Sequence, residues 1–104
     1  MEHIIREINE ERFDSIISSD RVVVDFFTTW CGPCKTVATI LDDIAKLHHN
    51  TNIVKLNIDK AQETAAKLHI SSIPTLIVFK KGKEIKRIVG IHNREMLEDF
   101  VLNT

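Results

Sequence analysis

Two rhythms of apolar residues run along this chain. The first is a dense run of strand length: Val22-Val23-Val24-Asp25-Phe26-Phe27 and Thr75-Leu76-Ile77-Val78-Phe79 are β-branched and aromatic almost without interruption. That is the composition of strands covered on both faces in the middle of a sheet. A third candidate strand, residues 53–58, alternates more openly, with Lys55 and Asn57 between its apolar positions. A short opening run holds Ile4, Ile5 and Ile8, and residues 84–89 read as a strand returning from a turn at Lys81-Gly82, with Gly90 as its exit. The second rhythm is helical. Phe13, Ile16 and Ile17 recur at i, i+3 and i+4 behind Asn9, which reads as an N-cap with Glu10 and Glu11 in the first turn. Val37, Ile40, Leu41, Ile44 and Leu47 mark a longer amphipathic helix ending near residues 48–50. Asp59 reads as the cap of a shorter helix over 61–68, and Asn93 as the cap of a last helix with Met96, Leu97, Phe100 and Val101 as its buried face.

The resulting order is βαβαβαββα. Alternation followed by a hairpin predicts an α/β fold, a mixed sheet with helices on both faces joined by right-handed crossovers. A chain of 104 residues suits one compact domain, residues 1–104. The composition, 43% hydrophobic and 28% charged, is that of an ordinary globular protein, and a formal net charge of −1 gives no reason to expect a nucleic acid or an anionic membrane as partner. The basic cluster of Lys80, Lys81, Lys83, Lys86 and Arg87 reads as a solvated hairpin and edge strand, where lysines also discourage edge-to-edge pairing. Residues 1–7 carry Glu2, Arg6 and Glu7 without the apolar core of a secretory leader, and no apolar stretch approaches transmembrane length. A cytoplasmic location is the expectation.

The only two cysteines stand inside Trp30-Cys31-Gly32-Pro33-Cys34-Lys35, between the first dense run and the long amphipathic helix. Disulfide exchange needs a thiolate near neutral pH. A cysteine that opens a helix is placed to supply one, because unpaired backbone N–H groups and the positive end of the dipole favour an anion there. Cys31 therefore reads as the nucleophile, and Cys34, one turn on, as the resolving thiol. Gly32 lets the backbone and a substrate approach closely. Pro33 suits a first-turn position, where its missing N–H would be unpaired anyway, and it stiffens the loop.

Three other readings compete for the same pair. A structural zinc site usually takes four protein ligands, and the five histidines (His3, His48, His49, His69 and His92) show no ligand spacing to the two cysteines. A purely structural disulfide around so small a loop would restrict the unfolded chain little. Incidental free cysteines fit the strand–motif–helix setting least. Asp25, an acid within an apolar strand, is expected to be buried, which disfavours its charged form. One reading makes it a structural carboxylate paired with Lys55.

Trp30-Cys31-Gly32-Pro33-Cys34-Lys35 resembles the active-site motif of the thioredoxin family, and the likeness extends along nearly the whole chain. Val24-Asp25-Phe26 precedes the motif at the family spacing, Lys55-Leu56-Asn57-Ile58-Asp59 resembles its third strand, and Ile73-Pro74-Thr75 its cis-proline loop. Gly82 and Val89-Gly90 fall where its hairpin and later glycine belong. The resemblance implies the thioredoxin fold, a mixed five-stranded sheet flanked by four helices. It also implies a monomeric protein-disulfide reductase that binds no cofactor or metal and cycles its own Cys31–Cys34 disulfide. Its partners would be disulfide-containing proteins and a flavin-containing thioredoxin reductase that draws on NADPH. In that scheme Cys31 attacks the substrate disulfide, Cys34 attacks Cys31 to release the reduced substrate, and Asp25, with Lys55 beside it, takes the Cys34 proton through a water.

For Ile73–Pro74, sequence alone gives the usual trans isomer. The resemblance gives a cis bond lying against the dithiol, with the Ile73 backbone free to pair with an extended substrate segment. Trp30, Gly32, Pro33, Ile73, Pro74, Gly90 and Ile91 are then the substrate-binding residues, with Val89 either in their patch or in the core. Some positions depart from the family pattern. Thr39 stands in place of a kinking proline, so the second helix is expected to be straighter; Ile91 is bulkier than usual, and Ser72 replaces a glycine. Phe27 and the Thr28-Thr29 pair also differ, with no mechanistic consequence that follows from sequence.

Overall fold

The two densest apolar runs lie side by side at the centre of the sheet. In the computed structural model, which describes residues 5–103, the chain forms β1 (Arg6–Ile8), α1 (Glu10–Ile17), β2 (Val22–Phe27), α2 (Gly32–Leu47), β3 (Ile53–Asn57), a 3-10 turn (Ile58–Lys60), α3 (Gln62–Lys67), β4 (Thr75–Lys80), β5 (Lys83–Val89) and α4 (Arg94–Leu102). The strand order is β1-β3-β2-β4-β5. β3 runs parallel to β1 and β2, while β4 runs antiparallel to β2 and β5. The mixed five-stranded sheet and the four helices are those expected. Of the opening run, Ile4 lies outside the described residues, and Ile5 and Ile8 are buried.

Side chains alternate across a strand, so β2 divides its residues between two cores. Val22, Val24 and Phe26 join Phe13 of α1, Val54 and Leu56 of β3, and Ile77 and Phe79 of β4 on one face. Phe13 packs tilted against Phe26, at 6.1 Å between ring centroids, and edge-on to Phe79 at 5.7 Å. Val23 faces the other way, toward Val37, Leu41 and Ile44 of α2 and Leu97, Phe100 and Val101 of α4. Asp25, two residues beyond Val23, projects to that same α2 side.

Caps expected at Asn9 and Asn93 are present: their side-chain oxygens accept from the Arg12 N–H at 3.0 Å and the Met96 N–H at 2.8 Å. Three expectations need correction. Asp59 does not cap α3, because a 3-10 turn intervenes. Its own N–H donates to Asn57 Oδ1 at 2.9 Å, and α3 starts behind Ala61, which makes no side-chain cap bond. The α3 donors are met from another element: Glu10 Oε2 accepts from the Thr64 N–H at 2.7 Å and the Thr64 hydroxyl at 2.8 Å. Met96 is half exposed, on the margin of the Leu97–Phe100–Val101 stripe. Leu47 is 68% exposed, because it is the last helical residue before the chain turns back toward β3; Ala45 sits in the core instead. Helix α2 runs unbroken through Thr39, whose hydroxyl donates to the Lys35 carbonyl one turn back at 3.1 Å.

The β4–β5 turn is two residues long, and Lys81 and Gly82 both have positive φ, +51° and +86°. That is the geometry of a primed turn, whose twist matches the strands it joins. The turn also closes α1, since the Gly82 N–H donates to the Ile17 carbonyl at 2.7 Å and the Lys81 N–H to the Ser19 carbonyl at 2.9 Å.

The helical phase of α2 is checked by two alanine substitutions read in denaturant. Leu41→Ala is expected to cost about 2–5 kcal/mol, the range for a leucine removed from a packed core. Leu47→Ala should stay within about 0.5 kcal/mol of the parent. Equal costs at the two positions would contradict the burial pattern.

Candidate active site

Strand β2 ends at Phe27, and Cys31 is already the N-cap of α2, with extended backbone (φ −96°, ψ 112°). Its sulfur accepts from the Cys34 N–H at 3.1 Å. The Cys31 sulfur therefore lies among the unpaired donors of the first turn, where an anion is favoured. Pro33 occupies that turn as expected, and both Gly32 and Pro33 are exposed. Cys31 and Cys34 form a disulfide with Cα atoms 5.2 Å apart. Both residues are buried, Cys34 more deeply. Among the described residues, no three His, Cys, Asp or Glu side chains converge as metal ligands.

Beneath Cys34 lies a cavity of about 310 Å³ whose walls include Asp25, Thr28, Cys34, Lys35 and Lys55. Asp25 and Lys55 stand opposite each other in the β2–β3 register, but they do not form the ion pair that one reading of the sequence suggested. The Lys55 ammonium lies over the Phe27 ring, 5.5 Å from its centroid, and Asp25 Oδ1 has no hydrogen-bond partner. Burial pushes the Asp25 carboxyl up to about 7; Lys55 pulls it back down, and the Asp42 carboxylate raises it further. A carboxyl that ionises near neutral pH can exchange a proton with a thiol in the same cavity.

The other face of the disulfide is built by topology. Phe26 pairs with Thr75, and Thr75 with Val89, so residues 73–74 and 89–91 arrive at the end of the sheet where β2 gives way to the cysteine motif. The Ile73–Pro74 bond is cis, as the resemblance implied. The Gly90 N–H donates to the Pro74 carbonyl at 2.8 Å, tying the two loops together, and Gly90 takes φ +89°, a left-handed conformation that favours glycine. The Ile73 backbone makes no hydrogen bond among the described residues. Trp30 (71% exposed), Val89 (47%) and Ile91 (53%) present apolar surface at this end, so Val89 goes to the surface, not to the core. The Trp30 ring is fastened at its edge, its Nε1–H donating to Asp59 Oδ2 at 2.8 Å.

Two residues with a place here escaped the sequence reading. Asp59, expected as a helix cap, holds Trp30 instead. Thr28 is buried in the cavity wall, and its hydroxyl has no partner; only the apolar context of the run that it ends hinted at its burial.

A thioredoxin family model matches residues 4–103. The chain is 43% identical over 98 residues to thioredoxin of Chlamydia pneumoniae, covering 94% of this chain and 96% of that one. Among solved structures, Plasmodium falciparum thioredoxin superposes with a TM-score of 0.86 at 33% identity, covering 93% of this chain and 96% of that one. The oxidised form of mitochondrial thioredoxin 3 from Saccharomyces cerevisiae gives 0.85 at 29% identity, covering 96% and 95%.

The raised Asp25 value has a consequence for stability. The folded protein keeps the Asp25 proton up to a pH of about 7, whereas the unfolded chain releases it near 4. Stability from this group is therefore lost as pH rises through that window, and the full penalty applies above it. In denaturant melts of the oxidised protein, Asp25→Asn should be the more stable form at pH 8, by up to about 4 kcal/mol. The gap should close as pH falls toward 4. A gap that does not change with pH would contradict a buried, proton-exchanging carboxyl.

Proposed function

The chain belongs to the thioredoxin family and is a thiol–disulfide oxidoreductase with a redox-active disulfide, and we propose that it works in the reducing direction as a general protein-disulfide reductase. The observation that carries this reading is the pairing of a helix-capping sulfur, Cys31, with a buried sulfur, Cys34, that shares a cavity with a buried carboxyl, Asp25, whose Oδ1 has no hydrogen-bond partner.

In the reduced protein the Cys31 thiolate attacks one sulfur of a substrate disulfide. That S–S bond breaks, one substrate sulfur leaves as a thiolate, and a Cys31–substrate mixed disulfide forms. Cys34 then gives its thiol proton through a water to the Asp25 carboxylate, and its thiolate attacks the Cys31 sulfur. The second substrate sulfur leaves with the electron pair, the Cys31–Cys34 disulfide closes, and the substrate has gained two electrons. Lys55 limits how far burial raises Asp25, which keeps a useful fraction ionised at neutral pH.

Substrate docking uses Trp30, Gly32, Pro33, Ile73, Pro74, Gly90 and Ile91. The exposed apolar side chains supply contact area, and the unpaired Ile73 backbone supplies main-chain hydrogen bonds to an extended segment. An NADPH-dependent, flavin-containing thioredoxin reductase returns the two electrons, and the protein acts as a monomer in the cytoplasm.

Cysteine variants and a redox titration test this reading. Cys34→Ser should accumulate the mixed disulfide with a disulfide-bonded protein such as insulin, and Cys31→Ser should abolish turnover. Asp25→Asn should slow resolution roughly 10²-fold at pH 7, the lower end of what a positioned base contributes. Equilibration against glutathione should leave the pair more reducing than glutathione; a potential at or above it would assign the oxidising direction.

A further inference from the structure

Among the described residues, only two buried side-chain polar atoms lack a hydrogen-bond partner, Asp25 Oδ1 and the Thr28 hydroxyl. Both belong to residues that line the cavity beneath Cys34. Buried polar groups in native proteins are nearly always satisfied, by protein atoms or by ordered water. Two exceptions among the described residues, both lining the cavity that Cys34 also lines, mark a place made for water.

On the reading of Asp25 as proton acceptor, we propose that Thr28 is a positioning residue for resolution. Its hydroxyl and Asp25 Oδ1 together hold the water that carries the Cys34 proton to the Asp25 carboxylate.

The chemistry of the three groups is complementary. An ionised carboxylate can only accept, a thiol mainly donates, and a hydroxyl does both. A water between them has the two to four polar partners that a buried water requires, and the cavity has room for it. In the step itself, the Cys34 S–H bond breaks as its proton passes to the water, and a proton of that water passes to Asp25 Oδ1. The water is regenerated, and Thr28 gains and loses no atom. Its part is to fix where the water sits.

Thr28 is well suited to that task. It stands immediately after β2, on the short path from the central strand to Cys31, and is only 2% exposed. A β-branched side chain is stiff at χ1, so the hydroxyl direction follows from the backbone. Valine has nearly the same shape and would fill the same space without leaving a polar atom unpaired. Packing alone therefore does not account for a hydroxyl here.

Several charged groups line the cavity or act on Asp25 and set the background against which Thr28 acts. Lys55 approaches from β3, while Lys35 lines the cavity from α2 and Asp42, also on α2, adds negative potential. None of these changes when Thr28 is replaced, so a shift in pH profile on removing the hydroxyl reports on the hydroxyl.

The test follows release of the chromophore from dithiobis(nitrobenzoate) by the reduced full-length chain. The first thiolate is released when Cys31 attacks, at a rate that depends on reagent concentration. The second is released when Cys34 resolves the mixed disulfide, at a rate that does not. Thr28→Val should leave the first phase unchanged, slow the second about fivefold, the factor that one net hydrogen bond is worth, and move its pH midpoint upward. Thr28→Ser, which restores the hydroxyl without the methyl, should recover both the rate and the midpoint. On an Asp25→Asn background, Thr28→Val should have no further effect, because the two groups act through one water.

A normal second phase and midpoint in Thr28→Val, with Asp25→Asn slow, would overturn the role of Thr28 and leave the Asp25 relay standing. Equal losses in the valine and serine variants would also overturn it, pointing to packing. Normal resolution in Asp25→Asn would instead remove the relay on which the proposal is built.

Discussion

A sulfur atom caps the helix on which this site is built. Cys31, itself in extended backbone, must follow the turn at residues 29–30 that leaves the central strand and at the same time accept from the Cys34 N–H. Every other part of the site is placed relative to that junction. Its position depends on β2, which is clamped between a parallel and an antiparallel neighbour, and on α2, whose Val37, Leu41 and Ile44 are sunk into the core on one face of the sheet. Sulfur is a weak acceptor compared with the oxygen of an asparagine or serine cap. A cysteine here gives up some helix stability and in return places its thiolate, when reduced, at the positive end of a sixteen-residue helix.

The pleat of β2 does the rest of the electrostatic work. Alternation sends Val23 and Asp25 to the same side, so the strand that anchors the α2 core also carries a carboxyl into the cavity that the second cysteine lines. An ion pair with Lys55 at close range would have held that carboxyl ionised and well below neutrality. Instead the lysine lies over Phe27 and acts from a distance. The result is an acid that changes charge near 7, the condition under which a proton acceptor works best at cellular pH. Stability is lost at a site where function needs it, and the rest of the sheet carries that loss.

What could be read from the sequence was local. Dense apolar runs of strand length and stripes with period 3.6 showed the elements in order, and Asn9 and Asn93 announced caps because a cap bond spans only three residues. The failures were of longer range. Glu10 meets the start of α3 across 54 residues, and no pattern near Asp59 shows that its carboxylate is taken by Trp30, 29 residues away. Leu47 and Met96 satisfy the helical spacing, yet one sits at a helix end and the other at the margin of a stripe, where periodicity continues but the neighbouring layer does not. The cis bond before Pro74 was expected only through family resemblance, since nothing in Ser72-Ile73-Pro74 itself selects it. Thr28 was silent for a different reason: a threonine at a strand end is ordinary, and only the absence of a partner for its hydroxyl makes it conspicuous.

These arrangements separate two demands that conflict at a disulfide-exchange site. Substrate recognition needs exposed apolar surface and unpaired backbone, and both lie on the outer side, with Trp30, Ile73 and Ile91. Proton transfer needs a space where a carboxyl is kept from full solvation, and that lies on the inner side, where Asp25, Thr28 and Lys55 line a largely apolar cavity. The Cys31–Cys34 disulfide joins the two, since Cys31 caps α2 and Cys34 lines the cavity. Because the sulfurs are three residues apart on a capped first turn, the α2 backbone alone holds that division. Substrates of very different shape can then be accepted at the outer surface without altering the chemistry behind it.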